Sequence, residues 1–219
     1  MDESPAWSAD GSRLAFIRRS GNDYRLYVVS RDGSGLREIA HTPSTGLFQF
    51  LATPAWSPDG RTIAFARHEF GQTSMLFVVD ARGGNERLLA PGAESPTWDP
   101  HGSRIAFVRT NEIRVLDLRH GTEKALVLPA RAFVGRVAWS PDGKRLAYED
   151  RGEIYTVNVD GSGRRRLTRD GVWEGEPAWA PDGRIVFARG GRWGFRDVRP
   201  TRIYVMDADG TRQRPLIER

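Results

Sequence analysis

The chain has 219 residues, which is enough for one domain, or two small ones, with a sizeable core that needs no crosslinks. Its 28% charged and 39% hydrophobic residues are ordinary for a soluble protein, and the lack of cysteine excludes disulfides, thiolate metal sites and cysteine nucleophiles. We expect no membrane span, no secretory signal peptide and no specific nucleic-acid interface, since the arginines behind the net charge of +5 are spread among acids.

One short motif, centred on tryptophan, aspartate and glycine, occurs five times along the chain. The copies are WSADG at 7–11, WSPDG at 56–60, WDPHG at 98–102, WSPDG at 139–143 and WAPDG at 179–183. The tryptophans are 49, 42, 41 and 40 residues apart, a period typical of the four-stranded blade of a propeller. We interpret the tryptophans as packing residues between blades. The aspartates are read as turn residues, because His101 replaces one of them without disturbing the repeat.

Each repeat predicts four strands in succession. The first strand ends at the motif tryptophan, and the second follows the motif turn, as at 13–16 and 62–65. The third reads LYVVS at 26–30 in the first copy, and after a glycine-bearing turn the fourth reads LREIA at 36–40. No segment has sustained helical periodicity. We therefore predict an all-β, five-bladed β-propeller of four-stranded antiparallel blades, forming a single domain over 1–219 with blades at about 3–40, 52–90, 94–128, 135–168 and 175–218.

The repeated unit, P-x-W-S-P-D-G followed by I-A-F, I-Y-V-M-D and R-L-T, resembles the WD-repeat-like blade of TolB-type propellers over essentially the whole chain. The resemblance implies a periplasmic or extracytoplasmic binding module that docks a protein or peptide without catalysis. The family also includes propellers fused to prolyl-oligopeptidase-like hydrolases, so an accessory propeller of a larger serine hydrolase is the alternative. TolB-type propellers usually have six blades, which leaves open that the chain is a fragment of a six-bladed ring.

The variable connections of such a meander all lie at one end of the strands, which we call the loop-rich face. It comprises the links between strands 2 and 3 of each blade and the links between blades, predicted at 17–25, 41–53, 66–75, 91–95, 108–112, 129–135, 149–153, 169–176 and 188–202. The eight aromatic residues outside the repeat pattern all fall in these segments: Tyr24, Phe48, Phe50, Phe70, Phe133, Trp173, Trp193 and Phe195. Variable loops on a rigid scaffold often carry function, and exposed apolar patches mark binding sites.

We therefore predict a partner-binding site anchored by Trp173, Trp193 and Phe195, with further apolar area from Phe48, Phe50 and Phe70. The alternative is that the long loops fold over the mouth of the propeller and bury these rings as a plug.

A set of charged residues lies at equivalent positions, two residues after each second-strand aromatic. The set is Arg18, Arg67, Arg109, Asp150 and Arg189. A collar of arginines would attract a carboxylate, a phosphate or an acidic peptide, and we assign Arg67, Arg109 and Arg189 to the partner-binding site. The alternative is that each arginine pairs with a local acid, for which the candidates are Glu3, Glu69, Glu94, Glu174 and Glu176.

Catalytic and metal-binding motifs are weak in this sequence. There is no GxSxG nucleophile elbow, and Gln72 stands where the second histidine of an HExxH motif would follow His68 and Glu69. A five-bladed glycosidase with carboxylates among Glu3, Glu94 and Glu176 is a lesser alternative. The segments at 158–161 and 207–210 lack the further acidic ligands of a calcium loop. We expect no enzyme activity, no cofactor, no metal and a monomeric protein.

Overall fold

A computed structural model describes residues 1–42, 49–69, 73–126, 134–190 and 202–217, except the side chains of residues 49, 50 and 69. These residues form strands, turns and loops, and no helix is found among them. The strands assemble into five four-stranded antiparallel sheets, which confirms the predicted all-β fold class. The chain divides into two compact units, Met1–Arg109 and Thr110–Arg219, which are described in turn.

The first unit contains two complete blades and the first half of a third. Blade 1 consists of β1 (Asp2–Trp7), β2 (Arg13–Ser20), β3 (Asp23–Ser30) and β4 (Arg37–His41). Blade 2 consists of β5 (Gln49–Trp56), β6 (Thr62–Glu69), β7 (Met75–Asp80) and β8 (Arg87–Pro91). Blade 3 begins with β9 (Glu94–Trp98) and β10 (Arg104–Arg109). In blades 1 and 2 each strand pairs with the next along the chain.

The second unit completes blade 3 and contains two more blades. Blade 3 ends with β11 (Glu112–Asp117) and β12 (Thr122–Ala125). Blade 4 consists of β13 (Val134–Trp139), β14 (Arg145–Asp150), β15 (Glu153–Asn158) and β16 (Arg165–Arg166). Blade 5 consists of β17 (Glu174–Trp179), β18 (Ile185–Arg189), β19 (Arg202–Met206) and β20 (Arg214–Pro215). Blades 3, 4 and 5 have the same meander order as the first two.

The motif aspartates serve as turn residues. In blade 2 the Ser57 hydroxyl donates to Asp59 Oδ1 at 2.6 Å, while the same carboxylate oxygen accepts the backbone N–H of Arg61 at 3.0 Å. Ser8–Asp10 and Ser140–Asp142 repeat this arrangement at the same 2.6 Å. The Ser8 hydroxyl, as the largest cause, lowers the pKa of Asp10 to about 2. The carboxylates are thus occupied within their own turns.

The innermost strands share an unusual backbone at the residue before the proline. The non-glycine residues Ser4, Thr53, Ser95 and Glu176 all have φ between +50° and +52°. The strand pairing shifts register at this level in each of these blades. Such a bulge bends the strand and re-aims the backbone that precedes it. It therefore fixes the direction in which each blade enters from its loop.

Two of the motif tryptophans, Trp56 and Trp98, contact the preceding blade, as expected. Trp56 is 8% exposed, and its Nε1–H donates to Ala6 O at 2.9 Å; Trp98 Nε1–H donates to Ala55 O at 3.1 Å. Trp139 is also buried. Trp7 differs, because it is 55% exposed. The acceptor for both Trp56 and Trp98 is the innermost strand of the blade before, and within the first unit β1 is the earliest such strand.

Candidate functional site

The strands reach further into the loop-rich face than the sequence suggests. Tyr24, predicted to lie in a loop, belongs to β3 and is only 5% exposed, because β2 and β3 pair as far as Ser20 and Asp23. It packs in the core of the first unit with Leu26 and Leu51. The backbone of Phe50 likewise lies in β5, opposite His68. The expectation that Tyr24 and Phe50 are loop residues is therefore wrong.

Several predicted anchor residues lie outside the described residues. These are Phe48, Phe70, Trp193 and Phe195, together with the side chain of Phe50. Their part in a binding site or in a plug stays a prediction. Phe133, another aromatic residue of the predicted loops, also lies outside the described residues. Trp173 is described, and the site around it can be built in detail.

Trp173 lies at the loop-rich end of blade 5, immediately before β17. The backbone on either side of it is fixed, because Glu174 N–H donates to Gly152 O at 2.8 Å and Gly190 N–H donates to Trp173 O at 3.0 Å. The indole ring lies against two glycines: a Cβ added at Gly152 would come within 2.8 Å of Trp173 Cδ1, and one at Gly175 within 2.4 Å of Cζ2. The ring is therefore held in a cradle that only glycine permits, and it remains partly exposed.

The polar edge of this indole is bound to a carboxylate. Trp173 Nε1–H donates to Glu149 Oε1 at 3.3 Å. Glu149 is on β14 and is partly buried, and this burial raises the pKa of its carboxyl, while Trp173 and the backbone N–H of Glu176 oppose the shift. Trp173 and Glu149 thus form a fixed pair. We call this pair, together with Gly135, Gly152 and Gly175, the Trp173 site.

The predicted arginine collar is paired with local groups in the structure. Arg67 is 7% exposed; its guanidinium donates to Glu86 at 2.8 Å and to His41 O at 3.2 Å, and it lies 4.3 Å over the Phe77 ring. Arg18 makes two hydrogen bonds to Asp2, at 2.7 and 2.8 Å. Asp2 and Glu86 are not among the acids that the sequence analysis named as partners. Both arginines are nevertheless paired locally, as the alternative to a binding collar predicted.

The other three positions follow the same principle. Arg109 Nε donates to Pro91 O at 2.9 Å and the guanidinium lies 5.1 Å over Phe107. Asp150 is buried and accepts a hydrogen bond from Arg164 at 3.1 Å. In blade 4 the second strand therefore carries the acid, and the arginine comes from the segment just before β16. Arg189 bonds to Asp170 and lies 5.0 Å over Tyr204. Cation–π contact with the blade aromatics accounts for the repeated arginines.

Glu174 sits beside Arg189 and is the most perturbed carboxyl among the described residues. It is 0% exposed, its Oε1 lies 3.6 Å from Arg189 Nε, and neither of its oxygens makes a full hydrogen bond. Burial raises its pKa to about 7, while the nearby Thr168 hydroxyl opposes the shift. From the sequence, Glu174 is predicted only as a partner for an arginine, and its burial was missed.

Two of the acids considered for a glycosidase are described one by one, each in its own unit. Glu94 is exposed on β9, and Glu176 is exposed and 3.6 Å from Arg136. One pair that the sequence did not suggest is Ser74, whose hydroxyl lies 2.7 Å from His68 Nδ1 across the β6–β7 hairpin. Burial lowers the pKa of His68, with Glu94 opposing the shift.

No three histidine or acidic side chains of the described part of the chain are placed to share a metal ion. In the same part of the chain, no helical segment has the length and apolar character needed to span a bilayer.

The described residues form twenty short strands in five antiparallel meanders, each with the same turn between its first two strands, and this arrangement defines a β-propeller repeat protein. Comparison with known proteins identifies the particular family. Residues 72–217 match the model of the TolB beta propeller domain, and the chain belongs to this family.

Individual relatives agree with this assignment. The Tol-Pal system protein TolB of Anaeromyxobacter dehalogenans is 33% identical over 187 residues, which are 78% of this chain and 41% of that protein. An uncharacterized peptidase of Bacillus subtilis is 28% identical over 205 residues, 92% of this chain but 24% of the peptidase. A TolB-type structure from Agrobacterium tumefaciens superimposes with a TM-score of 0.78 at 25% identity, covering 99% of this chain and 80% of that one. The chain thus spans less than half the length of the two curated relatives.

Proposed function

We propose that this chain is a non-enzymatic binding module that docks a protein or peptide on its loop-rich face, with Trp173 as an anchor. The observation that carries the proposal is the rigid, partly exposed setting of this indole between Gly152, Gly175 and Glu149. An aromatic ring held in place before binding loses little conformational freedom on docking, which is why tryptophan is enriched among residues that dominate interfaces.

The family relationship supports a protein partner, since TolB of Anaeromyxobacter dehalogenans is described as a component of the Tol-Pal system. It also supports a periplasmic or other extracytoplasmic location for this chain. We propose that the chain acts as a monomer, with Trp193, Phe195, Phe48, Phe50 and Phe70 extending the apolar surface. The arginines Arg67, Arg109 and Arg189 are better explained as supports of the blades, because each is bonded within its own surroundings.

The test is a comparison of two tryptophan variants against an identified partner. Proteins captured by the immobilised chain from an extract of its source organism are identified, and one of them is purified for affinity measurements. Trp173→Ala should weaken its binding by about 2 kcal/mol or more. Trp7→Ala is the matched control, since Trp7 is also exposed but belongs to the motif turn. Equal affinity of the two variants would refute the proposal.

An accessory role in a larger serine hydrolase is a second candidate. The match to the Bacillus subtilis peptidase supports it, because nearly the whole chain aligns with only 24% of that protein. In such a protein the propeller would control the entry of substrates. A serine-hydrolase domain in the same reading frame of the parent gene would favour this candidate, whereas a stand-alone gene would favour the binding module.

The absence of catalysis is also part of the proposal and can be tested at Ser74. The contact between Ser74 and His68 joins residues six apart across one hairpin, and we interpret it as a hydrogen bond that closes this hairpin. A fluorophosphonate probe should therefore leave Ser74 unlabelled. Covalent labelling that disappears in Ser74→Ala would show that the hydroxyl is a nucleophile and would overturn the non-enzymatic assignment.

A further inference from the structure

Glu149 departs from the repeat at a position that is otherwise apolar. It directly follows the second-strand aromatic Tyr148, and the corresponding residues of the other blades are Ile17, Ala66, Val108 and Ala188. The first three of these are at most 2% exposed. The other four blades are assembled with an apolar side chain here. A carboxylate at this position therefore calls for an explanation other than blade assembly.

The neighbouring strands make room for this carboxylate. The inner-strand residue that faces this position is Glu3 in blade 1, Ala52 in blade 2 and Glu94 in blade 3, but it is glycine in blades 4 and 5, at Gly135 and Gly175. A Cβ at Gly135 would lie 3.0 Å from Glu149 Oε2, and one at Gly175 would lie 2.5 Å from the same atom. The two glycines thus leave the space that Glu149 and the Trp173 ring occupy.

Glu149 makes no ion pair in the described part of the chain, although the Glu176 backbone N–H and the charge of the nearby Arg136 both oppose the rise in its pKa. Its Oε1 accepts from Trp173 Nε1, and no arginine or lysine among the described residues forms an ion pair with it. The neighbouring Arg136 lies 3.6 Å from Glu176 instead. Two carboxylates and one guanidinium leave an excess of negative charge beside a partly exposed indole. A partly buried carboxylate of this kind gains from a cation that arrives with the partner.

We propose that Glu149 and Trp173 form a subsite for a cationic side chain, arginine or lysine, of the docked peptide. Glu149 Oε2 accepts the N–H groups of the cation, while the indole face offers a cation–π contact. Arginine fits better than lysine, because its planar guanidinium can stack on the ring and bond to the carboxylate together. The subsite rests on the proposed docking function. It requires a positively charged group on the partner, whereas the predicted arginine collar implied a negatively charged one.

The test follows the seven indole N–H signals of the chain by ¹⁵N NMR, with the Trp173 signal assigned from the spectrum of Trp173→Phe. The probes are three capped tripeptides, Ala-Arg-Ala, Ala-Gln-Ala and Ala-Glu-Ala. Glu149→Gln removes the charge, and Glu149→Ala installs the residue that blades 2 and 5 already carry. Glu112→Gln is the matched control, because Glu112 is an exposed carboxylate already paired with Arg114.

We expect the arginine peptide to shift the Trp173 signal in a saturable way, and both Glu149 variants to weaken this binding about tenfold while Glu112→Gln leaves it unchanged. The glutamate peptide should cause no shift. If all three peptides shift the signal equally and Glu149→Gln changes nothing, docking at Trp173 stands but the cation subsite is refuted. If no peptide shifts the signal, the subsite is likewise refuted, and the docking function is decided separately by the Trp173→Ala affinity.

Discussion

Replacing Glu174 by leucine should stabilise the protein above neutral pH. Glu174 is fully buried, and neither of its oxygens makes a full hydrogen bond. It pairs with Arg189 across β17 and β18, at the position that Leu51 occupies in blade 2 and Val134 in blade 4, both of them buried. These two blades therefore show that a leucine or a valine can be buried at this position.

The magnitude follows from the pKa of Glu174, which burial raises from the ordinary 4.5 to about 7. Between these two values the folded protein keeps the proton while the unfolded chain loses it, so the stability of the wild type falls as the pH rises. One pKa unit corresponds to about 1.4 kcal/mol, so the loss reaches about 3 kcal/mol above pH 7. Glu174→Leu removes this loss.

Urea unfolding, followed by tryptophan fluorescence at a series of pH values, measures the effect. The stability difference between Glu174→Leu and wild type should grow by about 3 kcal/mol from about pH 4.5 to pH 8. A difference that stays constant with pH would mean that Glu174 titrates normally and that water or a partner group reaches its carboxylate.

Four further substitutions test the site and its supports. Arg67→Ala should lower the free energy of unfolding by about 2–3 kcal/mol, since it breaks a largely buried ion pair. Arg18→Ala should lower it little, because the pair of Arg18 with Asp2 is exposed. Equal losses in urea unfolding would contradict this reasoning. Gly175→Ala should displace the Trp173 ring and shift its indole N–H signal, and an unchanged signal would show that the cradle is loose. Trp193→Ala should weaken partner binding by about 2 kcal/mol or more and spare the fold, while unchanged affinity with a large loss of stability would favour the plug.

The fold was predictable because its determinants are local and repeated. Each copy of the motif contains the residues that close its own turn, as Ser57 and Asp59 do, and the period of the tryptophans gives four strands a blade. The prediction placed Tyr24 in a loop because the length of a pair of strands depends on the hydrogen bonds between them. The pattern of residue types along the chain does not show how far those hydrogen bonds extend. The β2–β3 pairing continues almost to the end of the hairpin.

The site was only partly predictable. Trp173 stands out in the sequence as an aromatic residue in a variable loop, but its cradle depends on Gly152 and Gly175, which are distant from each other in the chain. The burial of Glu149 and Glu174 could have been found by aligning the five repeats, since both replace apolar residues of other blades. The partners of the arginines could not, because a side chain such as Arg67 reaches an acid far away in the chain, Glu86, which the sequence does not place beside it.

The self-contained turns have an evolutionary consequence. The Ser–Asp turns close within a single copy, and the indole N–H groups of Trp56 and Trp98 bond to the first strand of the blade before them. A lineage can therefore gain or lose copies by gene duplication or deletion without redesigning the rest, while mutations such as those that produced Glu149 and Trp173 accumulate in one copy. When one copy diverges while the other copies maintain the fold, a structural repeat can acquire a new binding specificity.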